Sequence, residues 1–275
     1  MLRTGLSLNE KMISRKDFEE MARAGITHCE ISICFLEYPN VDYKMIKSLS
    51  SEYGVDIWSY HLPYSSPIYV DIASLDGEIR RRSIDLLCDV IERASDIGID
   101  KFVVHPSSEP KSEDKEKREE ELCRSEESLA FLAEKAHRCG GVIAVENLPR
   151  SCLAHTSDEH LRLASVDDRI KICFDTNHLL YEDPMDVIEK IAHKIITVHV
   201  SDYDFKDERH WLPGEGKVDW LKMYGKLIES GYRGVWLYEV RLPCPGNVAR
   251  KRDLVYRDFT LNSESIFSGK VPVVL

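Results

Sequence analysis

Short apolar runs recur along this chain, and six of them stop at a side chain able to bind a metal or carry a proton. These are Tyr60-His61-Leu62-Pro63, Val104-His105-Pro106, Val145-Glu146-Asn147, Phe174-Asp175-Thr176-Asn177-His178, Val198-His199-Val200-Ser201-Asp202 and Tyr238-Glu239-Val240. A strand buried on both faces reads as a continuous apolar run. Strands are predicted at Arg3-Leu8, Cys29-Cys34, Val55-Tyr60, Lys101-His105, Val142-Glu146, Ile170-Asp175, Ile195-Val200 and Val235-Glu239. Between them, helical periodicity marks Ser14-Ala24, Val41-Tyr53, Glu78-Ile97, Glu116-Arg138, Pro184-Ala192 and Val218-Glu229. Strand and helix alternate throughout, which predicts an α/β chain folded as a single (β/α)8 TIM barrel. In such a barrel the strand ends converge on one mouth, so the six polar termini are expected to meet there.

The element boundaries carry their own chemistry. From Glu78 onward, Ile79, Leu86, Leu87, Val90, Ile91 and Ala94 fall largely on one helix face, as docking on a sheet requires. Asp183-Pro184 reads as a cap followed by proline at the first helical position. Gly25, Gly54, Gly98, Gly140 and Gly231 read as helix stops before the next strand. No linker divides the chain, so residues 1–260 are taken as the barrel. Residues 261–275 are taken as a C-terminal tail that covers the barrel bottom or reaches a partner.

Composition narrows the possibilities. A formal net charge of -11 over 275 residues argues against a surface that coats nucleic acid, because phosphate affinity comes mainly from Lys and Arg. The segment Pro63 to Ser74, a candidate mouth loop, contains Asp71 and no basic residue. No stretch approaches the ~20 apolar residues of a membrane span and no signal peptide is evident, so a soluble, cytoplasmic protein is expected. The eight cysteines include no Cys-x-x-Cys pair and are expected to be buried, reduced thiols. The charged stretch Glu109 to Glu127 is expected to be a solvated loop leading into an exposed helix.

The ten histidines divide into two groups. His61, His105 and His199 fall at strand ends, His178 follows Asp175 by three residues, and His210 lies in the loop after the seventh strand. His28, His137, His155, His160 and His193 fall elsewhere and are expected to be structural or surface residues. Imidazoles converging with Glu146, Asp175 and Glu239, without cysteine, suit zinc, manganese, cobalt or iron(II). In the segment Asp207-Glu208-Arg209-His210-Trp211-Leu212-Pro213-Gly214-Glu215-Gly216, the Pro-Gly and Gly-x-Gly elements read equally well as a tight turn. No Walker A or dinucleotide fingerprint occurs, so neither nucleotide cofactor is implied.

Taken together, His61-Leu62-Pro63-Tyr64, His105-Pro106, Asp175-Thr176-Asn177-His178, His199-x-x-Asp202 and His210-x-x-Pro213-Gly214-x-Gly216 resemble the xylose isomerase-like TIM-barrel superfamily. That superfamily holds sugar isomerases and epimerases beside endonuclease IV-type DNA-repair enzymes. Resemblance to the epimerase branch implies one divalent metal held by Glu146, Asp175, His199 and Glu239, with Glu146 and Glu239 as the catalytic acid/base pair. Resemblance to the endonuclease branch implies up to three zinc ions on His61, His105, Glu146, Asp175, His178, His199, His210 and Glu239. That branch has aspartate where this chain has Glu208, which puts the third metal position in question. His210 follows the nuclease pattern, where epimerases often carry arginine.

The reading that results is a metal-dependent isomerase or epimerase of a small carbohydrate or sugar phosphate, carrying one to three divalent ions (Zn, Mn or Co). A multinuclear phosphodiesterase and a non-catalytic sugar-binding barrel are the alternatives. By position, Phe35, Glu37, Tyr64, Arg150, Trp211 and Arg241 are expected to line the substrate pocket. A nucleic-acid or membrane partner is not expected. Analogy with such barrels suggests a homo-oligomer, which nothing in the chain itself encodes.

Overall fold

The apolar runs become eight parallel strands that close in sequence order: β1 (Arg3–Leu8), β2 (His28–Ser32), β3 (Asp56–His61), β4 (Lys101–Val104), β5 (Val142–Glu146), β6 (Lys171–Asp175), β7 (Ile195–Val200) and β8 (Val235–Tyr238). The helices are α1 (Arg15–Ala24), α2 (Tyr43–Tyr53), α3 (Gly77–Ser95), α4 (Lys115–Arg138), α5 (Ser157–Ala164), α6 (Pro184–Ile191), α7 (Trp220–Glu229) and α8 (Tyr256–Phe267). This computed structural model describes residues 2–274; Met1 and Leu275 lie outside the described residues. The expected (β/α)8 barrel is the observed fold. Among the described residues no helix is long and apolar enough to cross a membrane.

Helix ends follow the expected chemistry. Asp183 caps α6 by accepting from the Met185 N–H, with Pro184 at the first turn, and Asp76 caps α3 by accepting from Glu78 and Ile79. Gly25 ends α1 at φ 86°, a left-handed conformation that favours glycine. Two helices lacked a legible period. α5 is only eight residues long, and α8 buries Asp258, Thr260, Asn262 and Ser263 beside Tyr256, Phe259 and Ile266, so its inner face is half polar. Because α8 runs to Phe267, the barrel's last helix continues past residue 260, where the tail was expected to begin. The chain then returns to the loop after β7: Asn262 Nδ2 donates to both Pro213 O and Val273 O, at 2.9 Å each.

Side-chain alternation divides the barrel wall. Residues such as Leu6, Ile31, Phe102, Val145, Phe174 and Val198 join the helices in the main core. A small separate cluster of Val103, Ala144 and Cys173 lies on neighbouring strands. Each of these stands two residues before a polar terminus: His105, Glu146 and Asp175, respectively. On β4, β5 and β6, apolar side chains thus sit beneath the polar mouth. The register shifts by one residue between Cys29 and Glu30 in the β2–β3 pairing, and between Ile172 and Cys173 in the β6–β7 pairing. Such irregularities re-aim side chains.

The charged stretch after β4 is largely exposed from residue 113 to 120, as expected, with a few buried exceptions on either side. Lys111 and Glu121 are buried, and Arg118 spans the loops after β4 and β5 by donating to Ser112 O, Ser151 O, Cys152 O and Glu159. Asp71 is likewise no mouth charge. It is buried and pairs with Lys111, while accepting from the Ala73 and Ser108 N–H groups. All eight cysteines are free; Cys29, Cys152 and Cys173 are buried, whereas Cys34 is exposed.

Candidate active site and metal centre

Glu146, the last residue of β5, stands at the centre of the mouth. It is 1% exposed, and its Oε2 lies 3.1 Å from His61 Nε2 and 3.2 Å from His105 Nε2. Its Oε1 lies 3.0 Å from His199 Nδ1 and 3.7 Å from His178 Nδ1. His199 Nδ1 also lies 3.2 Å from Glu239 Oε2 and 3.8 Å from Asp175 Oδ2. Three carboxylates therefore converge on one ring nitrogen.

Hydrogen bonds fix how the imidazoles present themselves. A carbonyl oxygen only accepts, so a ring nitrogen bonded to one must carry hydrogen. His61 Nδ1 donates to Leu62 O at 3.0 Å, His178 Nδ1 to Asn147 O at 2.8 Å, and His210 Nδ1 to Glu239 O at 3.1 Å. In the neutral ring of each, Nε2 then holds a lone pair. For His61 that atom faces Glu146, and for His178 it faces Glu208 Oε2 at 3.3 Å. A lone pair aimed at a carboxylate requires something positive between them, either a second proton or a metal ion.

The titration behaviour follows from the same crowding. Burial works against charge on His178, but Asp175 and Glu208 outweigh it and push its pKa up to about 10. Burial is likewise overcome at His61 by Glu146, and His199 is held well above the ordinary imidazole value by the acidic groups around it. His105 goes the other way because burial dominates. Among the carboxyls, burial would raise Glu146 and Glu239, yet the histidines hold both low, while burial wins at Asp175 and pushes it well up. Glu208 is held at about 2 by its bond to His178.

Three of the groups of ligand-type residues whose candidate ligand atoms lie within 4.8 Å of one another are without cysteine, and two of these share Glu146. They are His61, His105 and Glu146; Glu146, Asp175, His199 and Glu239; and His178, Glu208 and His210. Asp175 Oδ2 and Glu239 Oε2 are buried without a hydrogen-bond partner. Buried carboxylate oxygens are costly unless satisfied, and a cation at the four-residue group would satisfy both. The donor set fits a divalent metal. Glu208 reaches the third group despite its extra methylene relative to aspartate.

Two cavities adjoin this centre. One, of about 230 Å³, is lined by Tyr64, His105, Ser108, Arg150, His178 and Glu208 among others. The other, a groove of about 800 Å³, is lined by Lys11, Tyr64, His210, Glu239 and Arg241 among others. Tyr64 borders both and stacks on His105 at 4.4 Å between ring centres. Arg241 is exposed in the groove, with its N–H on His210 O.

The other expected pocket residues are placed differently. Arg150 lines the first cavity, but its guanidinium is engaged by Glu109, by Asp207 at 2.7 Å and by Glu208 at 3.4 Å. Trp211 is 8% exposed, and its backbone pairs with Asp202 in both directions. Glu37 is exposed ahead of the turn Tyr38–Asn40, and Phe35 stacks on Tyr69 at 5.5 Å; neither is among the lining residues of either cavity. The Pro213-Gly214 segment is a turn held from below by Asp202, which accepts from Gly214 N, Val218 N and Trp220 Nε1.

Two residues near His199 escaped sequence reasoning. Glu30 is buried on β2 with its carboxylate against His199 Nε2 at 3.1 Å. Cys173, read only as a buried thiol, places its sulfur in reach of Glu146 and His199. The signal for Glu30 was a lone charge inside an apolar strand, Cys29-Glu30-Ile31. His160, by contrast, behaves as expected of a structural residue: it donates to Val145 O at 2.9 Å, and burial lowers its pKa to about 4.

Known proteins share this architecture. An uncharacterised protein of Methanocaldococcus jannaschii is 30% identical over 209 residues, covering 73% of this chain and 69% of its own. A probable endonuclease 4 of Thermoplasma acidophilum is 25% identical over 191 residues, 63% of each chain. The crystal structure of a D-tagatose 3-epimerase-like protein superposes with a TM-score of 0.75 at 26% identity, covering 86% of this chain and 90% of that one. Residues 18–257 match the pattern that defines the xylose isomerase-like TIM barrels, and the chain belongs to that family.

Proposed function

We propose that this protein is a divalent-metal-dependent isomerase or epimerase of a small carbohydrate, acting by proton transfer at a carbon next to a carbonyl. The observation that carries the reading is that Glu146 and Glu239, from β5 and the end of β8, share one buried four-residue group with Asp175 and His199. Likeness to the D-tagatose 3-epimerase-like structure supports it. A bound metal would supply positive charge for the oxygen on which negative charge builds when the neighbouring C–H is broken. Glu146 and Glu239 are the carboxylates that take and return the proton; both are held ionised by the surrounding histidines. Glu146 is buried, whereas Glu239 lines the open groove, where its carboxyl can re-equilibrate with solvent between turnovers.

Tyr64 and Arg241 are proposed to contact the substrate. Tyr64 can offer a ring face to the sugar's C–H groups, and Arg241 has no ion-pair partner among the described residues, unlike Arg150. Lys11, in the same groove, is also without an ion pair among the described residues, so a negatively charged end of the substrate belongs on that side.

Solvent deuterium exchange into a panel of ketoses tests the reading. Exchange is expected with the metal-loaded protein and is expected to vanish in Glu146→Gln and Glu239→Gln. Exchange that persists in the double variant overturns the assignment.

A second reading, a multinuclear phosphodiesterase, is favoured by one observation: the His61/His105/Glu146 and His178/Glu208/His210 groups exceed what one ion requires. Likeness to the probable endonuclease 4 supports it. Metal-dependent nicking of an abasic-site duplex, with no deuterium exchange into any sugar, would reverse the ranking.

A further inference from the structure

His199 is held from both edges of its ring. On the inner edge, Nε2 lies 3.1 Å from Glu30 Oε1 and 3.2 Å from Oε2, and neither side chain is exposed. Glu30 is itself clamped from the two flanking strands: Ser7 Oγ on β1 donates to Oε1 at 2.9 Å, and Ser59 Oγ on β3 donates to Oε2 at 2.7 Å. On the outer edge, Nδ1 faces the oxygens of Glu146, Glu239 and Asp175.

A neutral imidazole carries one N–H and one lone pair, and the partner of one nitrogen decides which is which. His61, His178 and His210 use backbone carbonyls to pin the hydrogen on Nδ1, leaving Nε2 as the ligand atom. His199 is reversed. Its ligand edge is Nδ1, so the hydrogen must sit on Nε2, deep in the barrel, where the nearest acceptor is the Glu30 carboxylate.

We propose that Glu30 is a positioning residue for the metal centre: it fixes His199 in the Nε2–H form and presents Nδ1 to the ion shared with Glu146, Asp175 and Glu239. A carboxylate behind a ligand imidazole also raises its basicity, and losing such a partner typically weakens metal binding about 10–100-fold. The one-residue register shift between Cys29 and Glu30 sets Glu30 opposite Ser59. The inference rests on the metal-dependent reading of the site.

The test uses the full chain, freed of metal by chelation and titrated with Co²⁺ by calorimetry and visible absorption. Wild type is expected to bind Co²⁺, and Glu30→Gln is expected to bind the tightest equivalent about 10–100-fold more weakly, with an altered Co²⁺ absorption band. The double variant Ser7→Ala, Ser59→Ala keeps the carboxylate but frees it; a smaller loss in the same equivalent is expected, and this variant decides the matter should Glu30→Gln fail to fold. If Glu30→Gln lowers only the melting temperature and leaves the Co²⁺ affinity and spectrum of the folded protein unchanged, Glu30 is a packing residue and the proposal is overturned. If wild type binds no Co²⁺, the metal-dependent reading fails and this proposal falls with it.

Discussion

Lys111 and Asp71 form an ion pair whose side chains are 4% and 2% exposed, beside the cavity that borders His105 and His178. Removing one partner of a buried pair strands the other charge, which costs more than the pair contributes. Lys111→Met is expected to lose about 3–5 kcal/mol in urea unfolding. Because Asp71 also satisfies the Ala73 and Ser108 N–H groups, adding Asp71→Leu should not restore full stability.

Gly216 packs against the buried Asp202. A Cβ there would overlap Asp202 Oδ1 and the backbone oxygen of Tyr203. Gly216→Ala is expected to cost about 1–3 kcal/mol through overpacking and to loosen the loop that carries His210. A lower melting temperature, with reduced binding of divalent metal, would bear this out; Gly246→Ala, where a Cβ meets nothing within 4 Å, is the neutral control.

On the proposed metal-dependent reading, chelation should lower the melting temperature and adding a divalent cation should restore it, since binding to the folded state alone contributes about 2.7 kcal/mol at a hundredfold excess over Kd. Elemental analysis separates the groups. Glu208→Ala is expected to remove one ion per chain if the His178/Glu208/His210 group is filled, and to leave the count unchanged if only the four-residue group is.

Acid should weaken the anchor between the loops after β4 and β5. Burial alone would raise the Glu159 carboxyl, but hydrogen bonds from His155 and Arg118 and the guanidinium charge hold it at about 2, below the unfolded value of about 4.3. A depressed folded pKa contributes stability that is complete above the unfolded value and is lost as pH falls from about 4.3 through about 2. Unfolding midpoints of Glu159→Gln are expected to lie below wild type at neutral pH and to converge with it near pH 2. Parallel curves across that window would show that the carboxylate adds nothing.

The barrel was legible because its strands are buried on both faces, so their apolar runs stand out, and because most polar termini follow those runs directly. His61, Glu146, Asp175, His199 and Glu239 could be gathered on that ground alone. α8 was hidden because polar residues interrupt its buried face, where Asn262 hydrogen-bonds Tyr238 OH and the returning tail. Arg150 and Trp211 show what position alone leaves out: Arg150 does line a cavity but its guanidinium is engaged by acids, and Trp211 is buried in its loop. Glu30 stood out only as a lone charge in an apolar strand; its role was not legible, since its partners, Ser7, Ser59 and His199, are brought together only when the barrel closes.

The layer of Val103, Ala144 and Cys173 bears on the order of events in the protein's making. It lies directly beneath the crowded acids and imidazoles and needs nothing but neighbouring strands to form. Those three strands can pack with no ion above them, because the buried imidazoles and carboxylates can share protons instead. On the metal-dependent reading proposed above, an ion then enters a mouth that is already built, displacing those protons, and metal-free protein is expected to keep its barrel.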